Sequence, residues 1–339
     1  MPDFSIGVDM GGTNLRIAAV SADGRMLEKI TTSVKLSLGC DYVIGEMCDA
    51  IQHLTAKHRT DGKFLGAGIG VPGIIDIESG IMRKSANLPG WIDYPVRDII
   101  EQKLAVPIFL ENDAKAAALG ERWLGAGRGA DNMVMLTLGT GIGGAIILNG
   151  KMFYGMNGMA GEFGHVTVEP NGVPCGCGNH GCAERYASAT AVVRMAREAI
   201  ETGQAPALAR LAASGAEFSA KAIYDLAMEG HADAQRIFER FGRALGMLLA
   251  DLVNILNLGM FVIGGGVVSA WDAFAPTMFA EIRERSIIYA ATAPDNANAT
   301  ADGQGEGNLH RKTIITRALL GSDAGLYGAA SIPLFNPRP

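Results

Sequence analysis

Two glycine-rich turns of this sequence have the residue types that bind phosphate groups. Each follows a short apolar segment, the first at residues 9–13 and the second at residues 139–144. Glycine has no Cβ, so backbone N–H groups in such turns can approach phosphate oxygens closely. The carboxylate of Asp9 can hold Mg²⁺, usually through water. A third glycine turn follows the apolar segment 260–263. The predicted nucleotide-binding residues are Asp9, Gly11, Gly12, Thr13, Gly139, Thr140, Gly141, Gly143, Gly264, Gly265 and Gly266.

The second turn also fits the G-x-G-x-x-G pattern of dinucleotide-binding proteins, from Gly139 to Gly144. That pattern indicates a dinucleotide site only when a helix follows it directly. Residues 145–148 instead predict a strand that enters a hairpin turn at Asn149-Gly150. The sequence therefore argues against a dinucleotide site. Plain glycine hairpins remain the alternative for either turn alone, whereas the three turns together favour nucleotide binding.

A candidate catalytic carboxylate lies at Asp113, where the apolar segment 106–110 meets an alanine-rich helix predicted from Ala114 to about Leu124. A carboxylate at such a junction can be partly desolvated, which raises its basicity toward the range of a general base. Phosphoryl transfer to a hydroxyl group uses such a base. The alternative is that Asp113 only caps the helix, because Asp is a favoured N-cap residue. Position alone leaves these two roles open.

Three of the five cysteines crowd into a short segment, at Cys175, Cys177 and Cys182. In a reducing compartment such a cluster indicates a metal site before a disulfide. Three thiols and one histidine form a closed tetrahedral set, which is typical of structural zinc. His165 precedes the cluster and His180 lies inside it, so either can be the fourth ligand. Free thiols without a metal remain the alternative.

Composition limits the classes of function. The chain has 339 residues, of which 48% are hydrophobic and 19% charged, as in a well-buried enzyme of more than one domain. The net charge of −6 argues against nucleic-acid binding, which needs a basic surface. No apolar run reaches the roughly 18 residues of a membrane span, and the first residues predict a strand, not a signal peptide. We therefore expect a cytoplasmic protein that binds neither nucleic acid nor membrane.

The predicted elements repeat along the chain. Strand, glycine turn, strand and hairpin turn follow one another in residues 4–30 and again in residues 133–154. A single long-range repeat of this kind indicates a duplicated lobe and not a solenoid. Residues 184–256 predict a largely helical region, and residues 290–311, rich in Ala, Asn, Asp and Gly, predict a flexible insertion.

The segments Asp9–Arg16 and Leu138–Gly144, together with the cysteine cluster, resemble the ROK family of repressors, uncharacterised proteins and sugar kinases. This family is a branch of the actin, hexokinase and Hsp70 superfamily. The resemblance implies an α/β, two-lobed actin-like ATPase (ribonuclease H-like) fold with a duplicated βββαβα-type lobe and an interlobe cleft. The expected domains are residues 1–115, to which a helix at about 319–335 returns, and residues 116–318 with a zinc motif at 165–182.

The resemblance also implies roles for single residues. Asp113 is expected to be the general base. His165 is favoured as the fourth zinc ligand, with its second ring nitrogen toward the substrate. The implied metal ligands are His165, Cys175, Cys177 and Cys182. The implied sugar-binding residues are Asn87, Asn112, Asp113, Glu162, His165 and Glu184. For Asn87 a plain turn role remains the alternative.

The expected activity is transfer of the γ-phosphate of ATP to a hexose. Glucose is the favoured substrate, with glucose 6-phosphate as the product. Mg²⁺ is the expected cofactor and zinc the expected structural ion. Mannose, fructose, N-acetylglucosamine and N-acetylmannosamine remain alternative substrates, and polyphosphate an alternative donor. A sugar-responsive repressor of this family would need a helix-turn-helix domain before the first glycine turn, and only eight residues precede Asp9. A sugar sensor without catalysis is the second rival. A homodimer, or else a tetramer, is expected from the resemblance alone.

Overall fold

The computed structural model describes residues 2–60, 62–85, 88–294 and 311–335. In these residues the strands are β1 (Phe4–Met10), β2 (Asn14–Ser21), β3 (Met26–Ser33), β4 (Phe64–Val71), β5 (Ile74–Asp76), β6 (Ile81–Lys84), β7 (Ile108–Asn112), β8 (Met133–Leu138), β9 (Ile142–Leu148), β10 (Lys151–Met152), β11 (Met260–Gly264) and β12 (Ile314–Arg317). The α-helices are α1 (Cys40–His58), α2 (Val96–Leu104), α3 (Asp113–Leu124), α4 (Ala189–Glu201), α5 (Pro206–Ala213), α6 (Ala220–Met228), α7 (Ala232–Leu256), α8 (Trp271–Arg285), α9 (Ile287–Thr292) and α10 (Ala324–Phe335).

Two five-stranded sheets carry the fold. Their strand orders are β3-β2-β1-β4-β7 and β10-β9-β8-β11-β12. Numbered along the chain within each sheet, both orders are the same. In the first sheet two antiparallel pairs are followed by two parallel pairs, and in the second sheet β8, β11 and β12 pair in parallel in the same way. The duplication predicted from the sequence is confirmed.

The chain divides into two compact units. Unit 1 comprises Met1–Asp131, Ala145–Ala160 and Ala318–Pro339, and unit 2 comprises Asn132–Gly144 and Gly161–Arg317. The sequence placed the first boundary at residue 115, within α3, whereas unit 1 extends to Asp131. The physical reason is that α3 packs along α10, so the whole of α3 belongs with the first sheet.

The core of unit 1 lies on both faces of the first sheet. The apolar residues of α1 and α2, among them Ile44, Leu54 and Ile100, are buried against one face. On the other face α10 packs against β1 and β4 at very short range. A Cβ on Gly68 of β4 would lie 1.9 Å from the Ala329 carbonyl oxygen of α10. The helix can approach the sheet this closely only because glycine lacks that atom.

Strand register places the candidate residues of unit 1 at one sheet edge. Asp9 of β1 pairs with Gly70 of β4, and Val71 of β4 pairs with Asn112 of β7. The three strands run in parallel, so their carboxyl ends lie side by side. Open α/β sheets bind ligands at this edge.

The sequence misplaced some element ends. α9 continues to Thr292, so the flexible insertion predicted for residues 290–311 begins too early; residues 295–310 lie outside the described residues.

None of the helices in the described part of the chain has both the length and the apolar composition that a bilayer crossing requires.

Candidate active site

Asp9 lies near the end of β1, opposite Arg16 of β2. Arg16 Nη1 is 3.1 Å from Asp9 Oδ2 and also donates to the Ser322 carbonyl at 3.0 Å. Burial raises the pKa of Asp9 above its ordinary value; the Arg16 guanidinium opposes this shift, and the charge of Asp113 adds to it. The sheet thus brings two predicted carboxylates, Asp9 and Asp113, within electrostatic reach of each other in unit 1.

The N-cap of α3 is Asn112 and not Asp113. Asn112 Oδ1 accepts hydrogen bonds from the N–H groups of Ala114 at 3.0 Å and Lys115 at 3.2 Å. Its Nδ2 donates to the Gly73 carbonyl at 3.2 Å, which leaves one more amide proton for a ligand. Asp113 is the first helical residue, and its Oδ1 accepts from the Ala114 N–H at 2.8 Å. The capping role left open for Asp113 by the sequence is filled by its neighbour.

The second glycine turn is held by Glu184. Its Oε2 accepts the Ile142 N–H at 2.9 Å. A Cβ on Gly141 would lie 2.1 Å from the same oxygen, so glycine is required there. The turn itself is closed by the Gly139 N–H, which donates to the Gly141 carbonyl at 2.9 Å. The strand β9 follows the turn directly, so the predicted strand, in place of the helix that a dinucleotide site requires, is confirmed.

The third glycine turn leaves the sheet beside the second. Gly264 ends β11 opposite Thr137 of β8. The two turns share a pocket of about 220 Å³, lined by Thr140, Tyr224 and Gly266 together with residues of α6 and α7. A pocket with aromatic walls next to backbone N–H groups is suited to a nucleoside with phosphates attached. The larger surface pockets of unit 2, of about 570 and 770 Å³, contain none of the predicted site residues.

The predicted metal ligands converge. The ligand atoms of His165, Cys175, Cys177 and Cys182 all lie within 4.8 Å of one another. His165 Nδ1 is 3.6 Å from Cys175 Sγ, and Cys177 Sγ is 3.7 Å from Cys182 Sγ. His180, the rival fourth ligand, is not part of this group.

The spacing of these four atoms fits zinc. With Zn–S bonds of about 2.3 Å and Zn–N bonds of about 2.1 Å, the edges of a tetrahedral site are roughly 3.5–3.8 Å. Two of the six edges, from Cys175 to His165 at 3.6 Å and from Cys177 to Cys182 at 3.7 Å, fall in that range. Burial raises the pKa of the Cys182 thiol to about 12, so this sulfur needs a cation to become the thiolate that binds metal.

The chain wraps around the cluster through glycine. Gly181 has a φ of 69°, and a Cβ there would lie 1.6 Å from the Glu169 carbonyl oxygen. Gly176, between the first two cysteines, has no described atom beyond its chain neighbours within 4 Å of its Cβ position, so the geometry does not require glycine there.

The predicted sugar-binding residues of unit 2 lie on two short helical turns, at 163–165 and 183–185, which pack together. Glu162 precedes the first turn and is exposed. Its carboxylate forms no hydrogen bond or ion pair with the described residues. His165 directs Nδ1 at the cysteines, which leaves Nε2 for another contact. Asn87 lies outside the described residues.

Comparison with known proteins identifies the family. The ROK family model matches residues 5–334. The chain belongs to the ROK family. It is 38% identical to a glucokinase of Thermotoga maritima, over 96% of both chains, and 37% identical to a glucokinase of Halalkalibacterium halodurans, over 95% of this chain and 92% of the relative. The predicted actin-like α/β fold is confirmed with the family.

Solved structures agree with this assignment. A ROK family glucokinase from Streptomyces griseus, in complex with glucose and AMPPNP, matches with a TM-score of 0.75 and 33% identity, covering 97% of this chain and 98% of that one. The similarity thus extends over both units and is not confined to the glycine turns.

Some residues of the site were missed by the sequence. Arg16 is absent from the site residues that the sequence predicts, although it lies opposite Asp9 in the hairpin and forms an ion pair with it. Tyr224 lines the pocket beside the glycine turns from α6, and no local pattern connects that helix with residues far earlier in the chain.

Proposed function

We propose that this chain is an ATP-dependent hexokinase that converts glucose to glucose 6-phosphate. The observation that carries the proposal is its end-to-end similarity to glucokinases, at 37–38% identity. Asp113 supports the proposal, because it lies within electrostatic reach of Asp9 at the edge of the first sheet where the parallel strands end. We expect a cytoplasmic enzyme that assembles as a homodimer or tetramer.

In the proposed reaction Asp113 accepts the proton of the sugar 6-hydroxyl as that oxygen attacks the γ-phosphorus of ATP. The P–O bond to ADP breaks, ADP leaves, and the sugar phosphate forms. The N–H groups of Gly11 and Gly139 donate within their own turns, to the carbonyls of Asn14 and Gly141. The phosphate oxygens are therefore held by the N–H groups next to them, those of Gly12, Thr13, Thr140 and Gly141. The nucleoside occupies the pocket beside Tyr224 and Gly264–Gly266.

Two metals have separate proposed roles. Mg²⁺ neutralises charge on the phosphates when it is bound with ATP, and Asp9 presents a carboxylate for its hydration shell. Arg16 occupies only one Asp9 oxygen, which leaves the other for this contact. His165, Cys175, Cys177 and Cys182 would hold zinc as a structural ion. The bond to zinc would fix the ring of His165 and leave its Nε2 for the sugar. Asn112, Glu162 and Glu184 are the other proposed sugar ligands. Asn87, which lies outside the described residues, is proposed as a further one.

Substitution of the base tests this mechanism. We expect Asp113→Asn to lower kcat about 1,000-fold, because the amide cannot accept the proton and general-base catalysis contributes roughly 10²–10⁴. Binding of AMPPNP and glucose, measured by calorimetry, should be retained. Asp131→Asn, an exposed carboxylate that pairs only loosely with Arg122 at 3.5 Å, is the matched control. Near-normal turnover by Asp113→Asn would contradict the assignment of the base.

A sugar panel tests the substrate. ADP release is measured with glucose, mannose, fructose, N-acetylglucosamine and N-acetylmannosamine, and with polyphosphate in place of ATP. Highest kcat/KM with glucose and ATP is expected. Faster turnover with an N-acetylhexosamine would replace glucose by that sugar, and binding without ADP release would identify a sensor.

A further inference from the structure

The carboxylate of Glu111 is buried directly before the proposed catalytic pair. Its residue is only 1% exposed and lies in β7, one position before Asn112. A buried carboxylate is costly unless hydrogen bonds and charges compensate it. The role proposed above for Asn112 and Asp113 does not use this group, so its position needs a separate explanation.

Both Glu111 oxygens are engaged. Oε1 accepts the N–H of Asn112 at 2.9 Å, and Oε2 accepts the hydroxyl of Tyr154 at 2.5 Å. The first bond fixes the peptide group that joins Glu111 to Asn112, one residue before Asp113. The second reaches the loop of residues 153–160, which follows β10 and leads in sequence to Glu162.

A second contact binds the same loop from the other side of the catalytic pair. Lys115, in the first turn of α3, is 5% exposed, and its Nζ donates to the Gly158 carbonyl at 2.9 Å. The loop has few apolar anchors of its own: Met156 is 98% exposed and Phe153 45%. Backbone hydrogen bonds hold its ends, from the Phe153 N–H to the Ile146 carbonyl and from the Ala160 N–H to the Tyr154 carbonyl. Glu111 and Lys115, which flank Asn112 and Asp113 in the sequence, tie it to the proposed catalytic pair.

From this arrangement we propose that Glu111 is a positioning residue, which holds the Asn112–Asp113 junction and, through Tyr154, ties it to the loop of residues 153–160. The inference rests on the proposed kinase function. Glu111 touches neither the sugar nor ATP in this proposal. It acts through the Asn112 peptide and through the loop.

The protonation state of Glu111 decides whether both bonds persist. Burial raises the pKa of Glu111 to about 7; the Tyr154 hydroxyl, the Asn112 N–H and the charge of Lys115 oppose that shift. Tyr154 and Lys115 are the titratable side chains of the described residues that act on Glu111. Above this pKa the carboxylate accepts both hydrogen bonds. Below it, one oxygen carries a proton and becomes a donor, so the contact that this oxygen makes as an acceptor is weakened or reversed. We therefore expect turnover to fall as the pH decreases through about 7.

Three variants test the proposal, with kcat measured from pH 5.5 to 9. Tyr154→Phe removes a bond that lowers the pKa of Glu111, so the acidic limb of the kcat profile should move to higher pH. Glu111→Gln cannot titrate, so this limb should disappear and kcat should stay about ten-fold low at every pH. Lys115→Met removes the compensating cation and should move the limb as Tyr154→Phe does.

The matched control is Tyr94→Phe. Tyr94 also donates its hydroxyl to a carboxylate, that of Asp41 at 2.5 Å, but on the α1 side of the first sheet. It should leave the kcat profile unchanged. A purely structural role of Glu111 would lower thermal stability and leave the pH profile in place, and an unshifted limb in Tyr154→Phe overturns the proposal.

Hydrogen exchange separates this inference from the proposed function. Tyr154→Phe should increase the exchange of amides in residues 153–160 and at Ala114 without change in β8 or β11. If the wild-type chain phosphorylates no sugar of the panel, the proposed function fails, and this exchange result still decides whether Glu111 and Tyr154 hold the junction. Unchanged exchange in the variant contradicts the inference in either case.

Discussion

Gly139 and Gly141 stand two positions apart in the second glycine turn but have different surroundings. A Cβ on Gly141 would meet the Glu184 carboxylate, whereas no described residue beyond the chain neighbours lies within 4 Å of a Cβ on Gly139. Gly141 is therefore required by the protein itself. At Gly139, only a bound ligand explains a need for glycine.

This contrast predicts different outcomes for two alanine variants. Gly141→Ala displaces Glu184 from the Ile142 N–H, a charged hydrogen bond worth about 1.5–3 kcal/mol, and should lower the Tm of the ligand-free protein. Gly139→Ala should leave that Tm unchanged and weaken AMPPNP binding, because its methyl group blocks the phosphate. Differential scanning fluorimetry and calorimetry measure both effects. Equal AMPPNP affinity for Gly139→Ala and wild type would place the phosphates elsewhere.

The two histidines near the cysteines predict a metal result. His165→Ala removes a ligand atom of the cluster, so zinc affinity should fall by more than the roughly 10–100-fold typical of an outer-shell change. His180→Ala, outside the cluster, should keep its zinc. Metal analysis after dialysis against a chelator compares the two. Zinc retained in His165→Ala and lost in His180→Ala would reverse the assignment of the fourth ligand.

At the residue scale, most of the candidate site residues were predicted from the spacing of short motifs. The cysteine spacing and Asp113 at a strand–helix junction are local features, and local features survive in the fold. The Glu111–Tyr154 bond joins residues 43 positions apart, and Glu184 reaches the second turn across 42 positions. Such contacts depend on side-chain directions after folding, which no local pattern contains.

At the element scale, α10 is the helix whose surroundings the sequence described least. Its residues are apolar or small on nearly every side, and most of them are buried, so no amphipathic stripe indicates which face meets the sheet. Only the resemblance suggested that it returns to the first lobe. The contact with the sheet is defined by small residues on both partners, such as Gly68 of β4 and Ala329 of α10, and Gly328 packs equally closely against Ala116 of α3.

Two glycine variants of unit 1, one in the contact with α10 and one inside α1, should change the free energy of unfolding in opposite directions. Gly68→Ala places a methyl group against the Ala329 carbonyl, with both backbones fixed, and should destabilise by at least about 1–3 kcal/mol, as overpacking does. Gly45→Ala, inside α1 with nothing within 4 Å of the added atom, should stabilise by roughly 0.5–1 kcal/mol through helix propensity. Urea unfolding gives both values. A Gly68→Ala protein as stable as wild type would show that α10 does not lie this close to β4.

At the scale of the whole molecule, the chain leaves unit 1 and returns to it. Residues Ala318–Pro339 belong to unit 1, whereas β12, which ends at Arg317, belongs to unit 2. Glu121 of α3 fastens the return: its carboxylate accepts the N–H groups of Leu319 at 3.0 Å and Leu320 at 2.8 Å. The repeat in the sequence predicted the two sheets. The helix that covers the first sheet, α10, nevertheless comes last in the chain, after the strands of the second sheet.

This connectivity predicts that truncation acts on one unit only. A chain ending at Arg317 lacks α10, which exposes the apolar face of β1 and β4 and leaves the buried Ser5 hydroxyl without its acceptor at Ala330. Amides of β1 and β4 should then lose protection from hydrogen exchange. Those of β8, β11 and β12 should keep it, and zinc should remain bound, because a unit with its own core can fold without its neighbour. A chain ending at Phe335 keeps α10 and serves as the control. Simultaneous loss of protection in both sheets would show that the two units fold as one.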